Sequence, residues 1–266
     1  MPTFPGMGYP LVPGYESVGR VAQAGRSTNF KQGELVFVPG AVCFGEVKGL
    51  FGGAASRVVI PALRALRISN ELGERGTLLA LAATAYHAIV APGSTPGTTS
   101  PELIIGHGVL GRMIARLAVI AGGKPVVWET NTDRRTGAMG YDVVDPKEDL
   151  RSNYRSICDV SGDPQILDSL ISRGAPGCEI VLAGFYDQPL SFSFAPAFLR
   201  EARLRVAAQW KPHDLIAVKD LAESGKLSLD GLITHRSNPT DANEAYRTAF
   251  TDPTCLKMIL DWRTAP

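Results

Sequence analysis

Three glycines in six residues, Gly106-His107-Gly108-Val109-Leu110-Gly111, and an acid at Glu129 are the residues of this sequence best suited to chemistry. A turn of this kind handles phosphate. Gly106 allows a tight turn, Gly108 lets the backbone approach a pyrophosphate with no Cβ in the way, and Gly111 lets the next helix pack close to the strand. Val109, Leu110 and Gly111 open that helix, so its unpaired N–H groups and positive dipole end face an anion. Glu129 stands roughly twenty residues downstream, the spacing at which an acid meets the adenosine ribose. A carboxylate there accepts from the ribose hydroxyls and repels a 2′-phosphate, which points to NAD over NADP. Arg134 and Arg135 weigh the other way, because a guanidinium pairs with that phosphate; solvated charge or packing on the adenine is their plain alternative.

The elements that must position these residues follow from the pattern. Strands are predicted at 102–106, 125–129, 157–161, 179–184 and 204–208, with helices at 109–121, 164–173 and 213–224 between them. This alternation predicts an α/β fold with a doubly wound parallel sheet. The first ninety or so residues differ: Gly, Pro and β-branched residues, short runs at Ser17 to Val21 and Leu35 to Val38, and a turn at Lys31-Gln32-Gly33-Glu34 predict an irregular strand-built domain. Ser56 to Pro61 is a further strand candidate, and Thr77 to Val90 has a helical pattern. Residues 91–101, rich in Pro, Gly, Ser and Thr, read as a surface connection. Ala242 to Phe250 reads as a helix and Leu256 to Trp262 as a final strand. The predicted organisation is a β-rich domain from 1–90 and 233–266 flanking a dinucleotide domain from 91–232.

The chain has 266 residues and a formal net charge of +1, with charges scattered evenly. No basic face emerges, which argues against nucleic acid as a partner. No apolar run approaches a membrane span, and MPTFPGMGYP lacks the features of a signal peptide. Cys43, Cys158, Cys178 and Cys255 lie far apart and read as reduced thiols of a cytoplasmic protein.

The order of these elements resembles the medium-chain dehydrogenase/reductase superfamily, in which a GroES-like β-rich domain flanks a Rossmann domain. Tyr9-Pro-Leu-Val-Pro-Gly-Tyr-Glu-Ser-Val-Gly-Arg-Val21 is similar to that family's PxxxGHExxGxV segment, and Lys31-Gln-Gly-Glu-Leu-Val-Phe37 to its xxGDxV strand. Gly231-Leu-Ile-Thr-His-Arg236, with Asp241-Ala-Asn-Glu-Ala-Tyr246, resembles its return to the first domain. FPGMGYPLVPGYESVG, GLFGGAASR, LLALAATAYHA, GHGVLGR, VVWET, LAGFY and CLKMILDW together resemble the 3-hydroxyethyl bacteriochlorophyllide a dehydrogenase subfamily. The resemblance implies NAD-dependent oxidation of the 3-(1-hydroxyethyl) side chain of a (bacterio)chlorophyllide to 3-acetyl. It also implies a homodimer and loose association with photosynthetic membranes. The substrate rests wholly on this likeness; the residues by themselves stop at an alcohol or ketone oxidoreductase. A zinc-free quinone or enone reductase, or a non-catalytic NAD-binding remnant, are the other classes this pattern admits.

The chain departs from the superfamily in two places. The histidine of GHE is Tyr15, no cysteine lies near Thr84-Ala85-Tyr86, and the four-cysteine lobe is absent, so a zinc-free enzyme is expected. Family members also carry strands before the PxxxGYE segment; the expectation is that Met1 is an internal methionine of a longer protein, and a genuine truncation is the rival. Without zinc, a side chain, a water chain or the cofactor ribose must take the hydroxyl proton. Tyr15 and His87 are the candidate catalytic residues, and shape-filling or packing is the plain alternative for each. Thr84 matches a position that contacts nicotinamide. Ser161, Gly162, Gly184 and Phe185 end strands on the carboxyl side of the sheet, where ligands bind, while His107 is expected to form a wall. Phe4, Tyr9, Phe44, Phe51, Tyr186 and Trp210 are candidates to wall a flat macrocycle, and Phe192, Phe194 and Phe198 to pack near a subunit interface.

Overall fold

In the computed structural model, residues 8–90, 100–207 and 209–264 are described. Among them the strands, in chain order, are β1 (Leu11–Pro13), β2 (Ser17–Arg20), β3 (Leu35–Val38), β4 (Lys48–Leu50), β5 (Leu66–Arg67), β6 (Leu103–Ile105), β7 (Val126–Trp128), β8 (Asp142–Val144), β9 (Tyr154–Asp159), β10 (Gly174–Leu182), β11 (Arg203–Val206), β12 (His235–Ser237) and β13 (Met258–Leu260). The α-helices are α1 (Leu79–Ile89), α2 (Val109–Ile120), α3 (Leu167–Arg173), α4 (Phe194–Leu199), α5 (Pro212–Glu223) and α6 (Ala242–Thr251).

Two compact units result. One takes 1–80, 219–251 and 257–266, and the other 81–218 and 252–256, so the division falls within α1 and within α5. The sequence pattern had set its boundaries at 90/91 and 232/233. Most of the 91–101 connection lies outside the described residues.

The second unit holds a six-stranded parallel sheet in the order β11-β10-β9-β6-β7-β8. The chain runs outward from β6 to β8, then returns and runs outward on the other side from β9 to β11. This is a doubly wound sheet of Rossmann type, and its switch point lies between β6 and β9. Central strands of such a sheet are covered on both faces, hence the unbroken apolar run Leu103-Ile104-Ile105, all buried. Leu103, Ile105, Trp128, Ile157 and Ile180 share one core with Leu167, Leu170 and Ile171 of α3.

The first unit is built from small sheets. β2, β3 and β5 pair antiparallel, β1 pairs with β4, and β12 with β13. Gly33, with φ of +87°, turns the chain into β3. Long-range charge pairs tie the first part of the chain to its last: Glu16 with Lys257, and Glu74 with Arg236. Ser56 to Pro61, expected as a strand, is not one. Its alternation is present, but it has no ladder partner among the described residues, and Val59 is 79% exposed.

A partly buried polar contact borders the core of the sheet unit. The indole N–H of Trp128 and the hydroxyl of Tyr154 both donate to Asp149 Oδ2, at 2.7 and 2.6 Å. Burial opposes ionisation of Asp149, but donors from Tyr154, the Arg151 backbone and Trp128 outweigh it and hold the carboxyl below its usual value. Asp149→Ala would orphan two donors on buried rings, a loss of about 2–4 kcal/mol in urea unfolding. Because the folded pKa is lowered, this stability is complete above the unfolded carboxyl's range, near about 4, and fades as pH falls through the lower folded value. The wild-type protein should lose midpoint stability over that acid window, and the alanine variant should lose less.

Candidate dinucleotide site

β6 delivers the chain into the glycine turn, and each glycine there has a distinct geometric reason. Gly106 has φ of +100°, which L side chains rarely adopt. A Cβ on Gly111 would stand 1.9 Å from the Gly106 carbonyl oxygen, so the helix reaches its seat only without one. Gly108 is the opposite case: its backbone is extended, and a Cβ would meet nothing within 4 Å. It caps α2 with no side-chain hydrogen bond and no acid in the first turn. The amides of Val109, Leu110 and Gly111, in the first turn, have no intrahelical acceptors. The turn and helix start fit a pyrophosphate.

Glu129 follows β7 and is buried. Its two oxygens each accept a backbone amide, Oε2 from His107 at 2.9 Å and Oε1 from Asn131 at 2.8 Å. The acid therefore ties the glycine turn to the end of the neighbouring strand, and each oxygen keeps a second lone pair for a ribose hydroxyl. Both arginines beside it are engaged. Arg135 donates from Nε to the Glu129 carbonyl at 2.8 Å and ion-pairs with Asp145 at 2.5 Å. Arg134 donates from Nε to the Pro253 carbonyl at 2.6 Å.

The sequence-expected wall residue His107 sits in a buried polar network. Its Nδ1 is 2.6 Å from the Arg134 carbonyl, which can only accept, so Nδ1 carries the proton and Nε2 accepts from Tyr141 at 2.9 Å. Burial, with the Arg112 and Arg116 charges, pushes the imidazole down to about 4. It is neutral at physiological pH. Arg112 donates to the carbonyls of both His107 and Arg134, locking the glycine turn to the segment after Glu129.

On the other side of the switch point, β9 and β10 end in a second cluster. Asp159 is fully buried and accepts from the Ser161 amide at 2.9 Å and the Tyr186 hydroxyl at 2.7 Å. Burial raises its pKa against the pull of those donors. Gly162 has φ of +76°, and a Cβ on Gly184 would press on the Gly162 nitrogen and the Tyr186 hydroxyl, each 3.2 Å away. Phe185 is 71% exposed at the tip. Sequence reasoning named Ser161, Gly162, Gly184 and Phe185 but missed Asp159, the carboxyl that organises them; its only signal was an acid ending an apolar strand.

Thr84 and His87 lie three residues apart on α1 and so share a face, while Ala82, Ala83, Ala85 and Ala88 are buried. His87 Nδ1 is 2.9 Å from Asp214 Oδ2 on α5. Tyr15, in the other unit, meets Phe51 edge-on with ring centroids 5.1 Å apart. Burial, and then Glu16, pushes its phenol up to about 12. Among the described residues no group of three His, Cys, Asp or Glu side chains is placed to hold a metal ion. A neutral phenol at the position of a ligating histidine does not suit zinc.

The aromatic candidates separate. Tyr9 is exposed, Phe51 packs on Tyr15, Tyr186 holds Asp159, and the buried Trp210 indole N–H has no acceptor among the described residues. Phe44 is part-buried, and Phe4 lies outside the described residues. Phe192, Phe194 and Phe198 line a groove of about 510 Å³ on α4, with the last two rings 5.6 Å apart.

The glycines allow a contrast. Gly108→Ala should keep the wild-type melting temperature but weaken NAD binding at least about tenfold, because its Cβ fills only the space a phosphate would need. Gly111→Ala should destabilise the fold by about 1–3 kcal/mol or more through overpacking. Calorimetric melting and titration with NAD distinguish the two effects.

Residues 2–70 match the alcohol dehydrogenase GroES-like domain family. The chain is 57% identical over 269 residues to a protein of Cereibacter sphaeroides named 2-desacetyl-2-hydroxyethyl bacteriochlorophyllide A dehydrogenase, covering 99% of this chain and 83% of that one. It is 58% identical over 267 residues to the protein of the same name from Rhodobacter capsulatus, covering 100% and 84%. Its fold matches that of an alcohol dehydrogenase from Escherichia coli CFT073, solved in complex with NADH, with a TM-score of 0.76 at 19% identity over 94% of this chain and 83% of that one. With a GroES-like domain ahead of a doubly wound sheet, and more than half its residues shared with those two relatives, this chain belongs to the bacteriochlorophyllide dehydrogenase subfamily of the medium-chain dehydrogenases/reductases.

Proposed function

We propose that this protein oxidises the 3-(1-hydroxyethyl) group of a (bacterio)chlorophyllide to 3-acetyl, using NAD, in bacteriochlorophyll a synthesis. The observation that carries this reading is identity of 57–58% over essentially the whole chain to two relatives named for a hydroxyethyl bacteriochlorophyllide. When bound, the nicotinamide supplies the hydride acceptor, and the enzyme's residues supply binding, orientation and a place for the proton.

The amides of Gly108 to Gly111 would hold the pyrophosphate, and Glu129 the adenosine ribose. With Arg134 and Arg135 drawn onto Pro253, Asp145 and the Glu129 carbonyl, the ribose end favours a free 2′-hydroxyl, hence NAD. Thr84, Ser161, Gly162, Gly184 and Phe185 would receive the nicotinamide half. As hydride leaves the carbinol carbon, the hydroxyl proton needs an acceptor. Tyr15 fits that role poorly, because a phenol raised to about 12 keeps its own proton at neutral pH and donates instead. His87, with a carboxylate on Nδ1, fits it well through Nε2.

The groove beside Phe194 and Phe198, next to the edge strand β11, is the face we assign to a homodimer. Among the described residues no helix is long and apolar enough to cross a membrane. Contact with photosynthetic membranes would therefore be peripheral.

The test is incubation of the purified protein with NAD and the 3-hydroxyethyl pigment, followed by absorption and mass spectrometry. Loss of two hydrogens with formation of the acetyl pigment is expected. Reduction of quinones without pigment oxidation, or NAD binding with no turnover, would contradict the proposal. Within the active protein, His87→Gln should lower kcat about 100-fold, whereas Tyr15→Phe should stay within about threefold of wild type, since a group that never takes the proton contributes none of that factor.

A further inference from the structure

Asp214 stands behind His87 with only 1% of its side chain exposed. Its Oδ2 is 2.9 Å from His87 Nδ1 and accepts the Lys211 amide at 2.8 Å. An ionised carboxylate can only accept, so Nδ1 must carry the imidazole proton and Nε2 is left with its lone pair. This is the division of labour a proton-accepting histidine needs.

The topology places the pair at the ligand-binding edge of the sheet. β11 runs parallel to β10 with Arg205 opposite Val181, and Arg205 donates from Nη2 to the Ala88 carbonyl at 2.6 Å, one residue beyond His87. β11 ends at Val206, and α5, which carries Asp214, begins at Pro212. His87 and Asp214 are therefore held on the β9-β10-β11 half, at the carboxyl edge where Ser161, Gly162, Gly184 and Phe185 also lie. Ligands in open α/β sheets bind along that edge, on either side of the switch point.

Resting on the assignment of His87 as proton acceptor, we propose that Asp214 is a positioning residue for the oxidation, fixing the tautomer and ring orientation of His87. A purely structural role competes with it. Asp214 also accepts the Lys211 amide at the start of α5 and links that helix to α1. The other titratable or charged groups around the pair are Tyr86 on α1, Arg205 on β11, and Lys211 and His213 at the head of α5. His213 Nε2 lies 3.3 Å from Asp214 Oδ1.

Asp214→Asn separates the two roles. Both contacts fall on Oδ2, so a carboxamide that keeps its oxygen there preserves the Lys211 hydrogen bond and loses the charge, while one that turns its N–H₂ there gives up that hydrogen bond and favours the wrong tautomer. With pigment and NAD, the variant should melt within a few degrees of wild type while kcat falls about 100-fold with little change in KM. A carboxylate facing a group that gains a proton favours its charged form, so the acidic limb of the kcat–pH profile should move to lower pH in this variant. Asp214→Glu should restore part of kcat, and His213→Ala should leave the limb in place. A folded Asp214→Asn with normal kcat and His87→Gln impaired overturns the positioning role alone. Normal kcat in His87→Gln overturns the assignment on which it rests. A loss of kcat that follows melting temperature with an unmoved limb, or a limb that vanishes with His213, also overturns the proposal.

Discussion

The arrangement on which the cofactor unit depends is the buried Glu129 carboxylate, shared between the amides of His107 and Asn131. A carboxylate out of water is tolerated only when its lone pairs are met by donors. Here the donors are main-chain groups from the two segments that must frame an adenosine. The acid thus does two jobs at once. It fixes the glycine turn against the end of β7, and in the proposed function it would also receive the ribose hydroxyls. The surrounding groups reinforce it: Arg112 and His107 converge on the Arg134 carbonyl, and Arg135 on the Glu129 carbonyl. Each uses a cation or a neutral imidazole to hold backbone, leaving the ribose-facing charge negative.

The same economy governs the other half of the sheet edge. Asp159 gathers the Ser161 amide and the Tyr186 hydroxyl, so that two glycines bring β9 and β10 ends into close approach. His87 and Asp214 form a further pair between α1 and α5. Three buried carboxyl groups, at 129, 159 and 214, each accept backbone amides in the sheet unit. Each sits where a strand has ended or a helix begins, since only there does the backbone offer unpaired amides. In the β-rich unit the corresponding position has gone another way. Tyr15 packs on Phe51, and its neighbour Glu16 pairs with Lys257, so the segment that carries a histidine ligand in zinc relatives is braced by ring contact and charge.

The local signals in the sequence were enough for the strand–turn–helix unit, because GxGxxG and the downstream acid are close in the chain and each glycine answers a steric need at that point. Alternation of apolar runs likewise marked β6, β7, β9, β10 and β11, with errors of a few residues where β10 begins early at Gly174, but it missed the short edge strand β8. Contacts between distant residues were not visible in that way. Nothing in the spacing of His87 and Asp214, 127 residues apart, marks them as partners. Asp159 and Asp149 look like ordinary strand-end or loop acids until folding buries them against Tyr186, Tyr154 and Trp128. Ser56 to Pro61 shows the reverse failure: its pattern suits a strand, but pairing is a property of the partner as much as of the segment. The substrate, too, was legible only through family likeness, since a macrocycle leaves no period in the sequence.

In the proposed function Glu129 is a fixed, negatively charged ribose acceptor, and the measurement closest to that claim is titration calorimetry of the wild-type protein with NAD and NADP under one salt condition. NAD should bind at least about tenfold more tightly, since a 2′-phosphate brings like charge against a buried carboxylate, and Glu129→Ala should erase that preference. Equal or tighter binding of NADP by the wild type would contradict it.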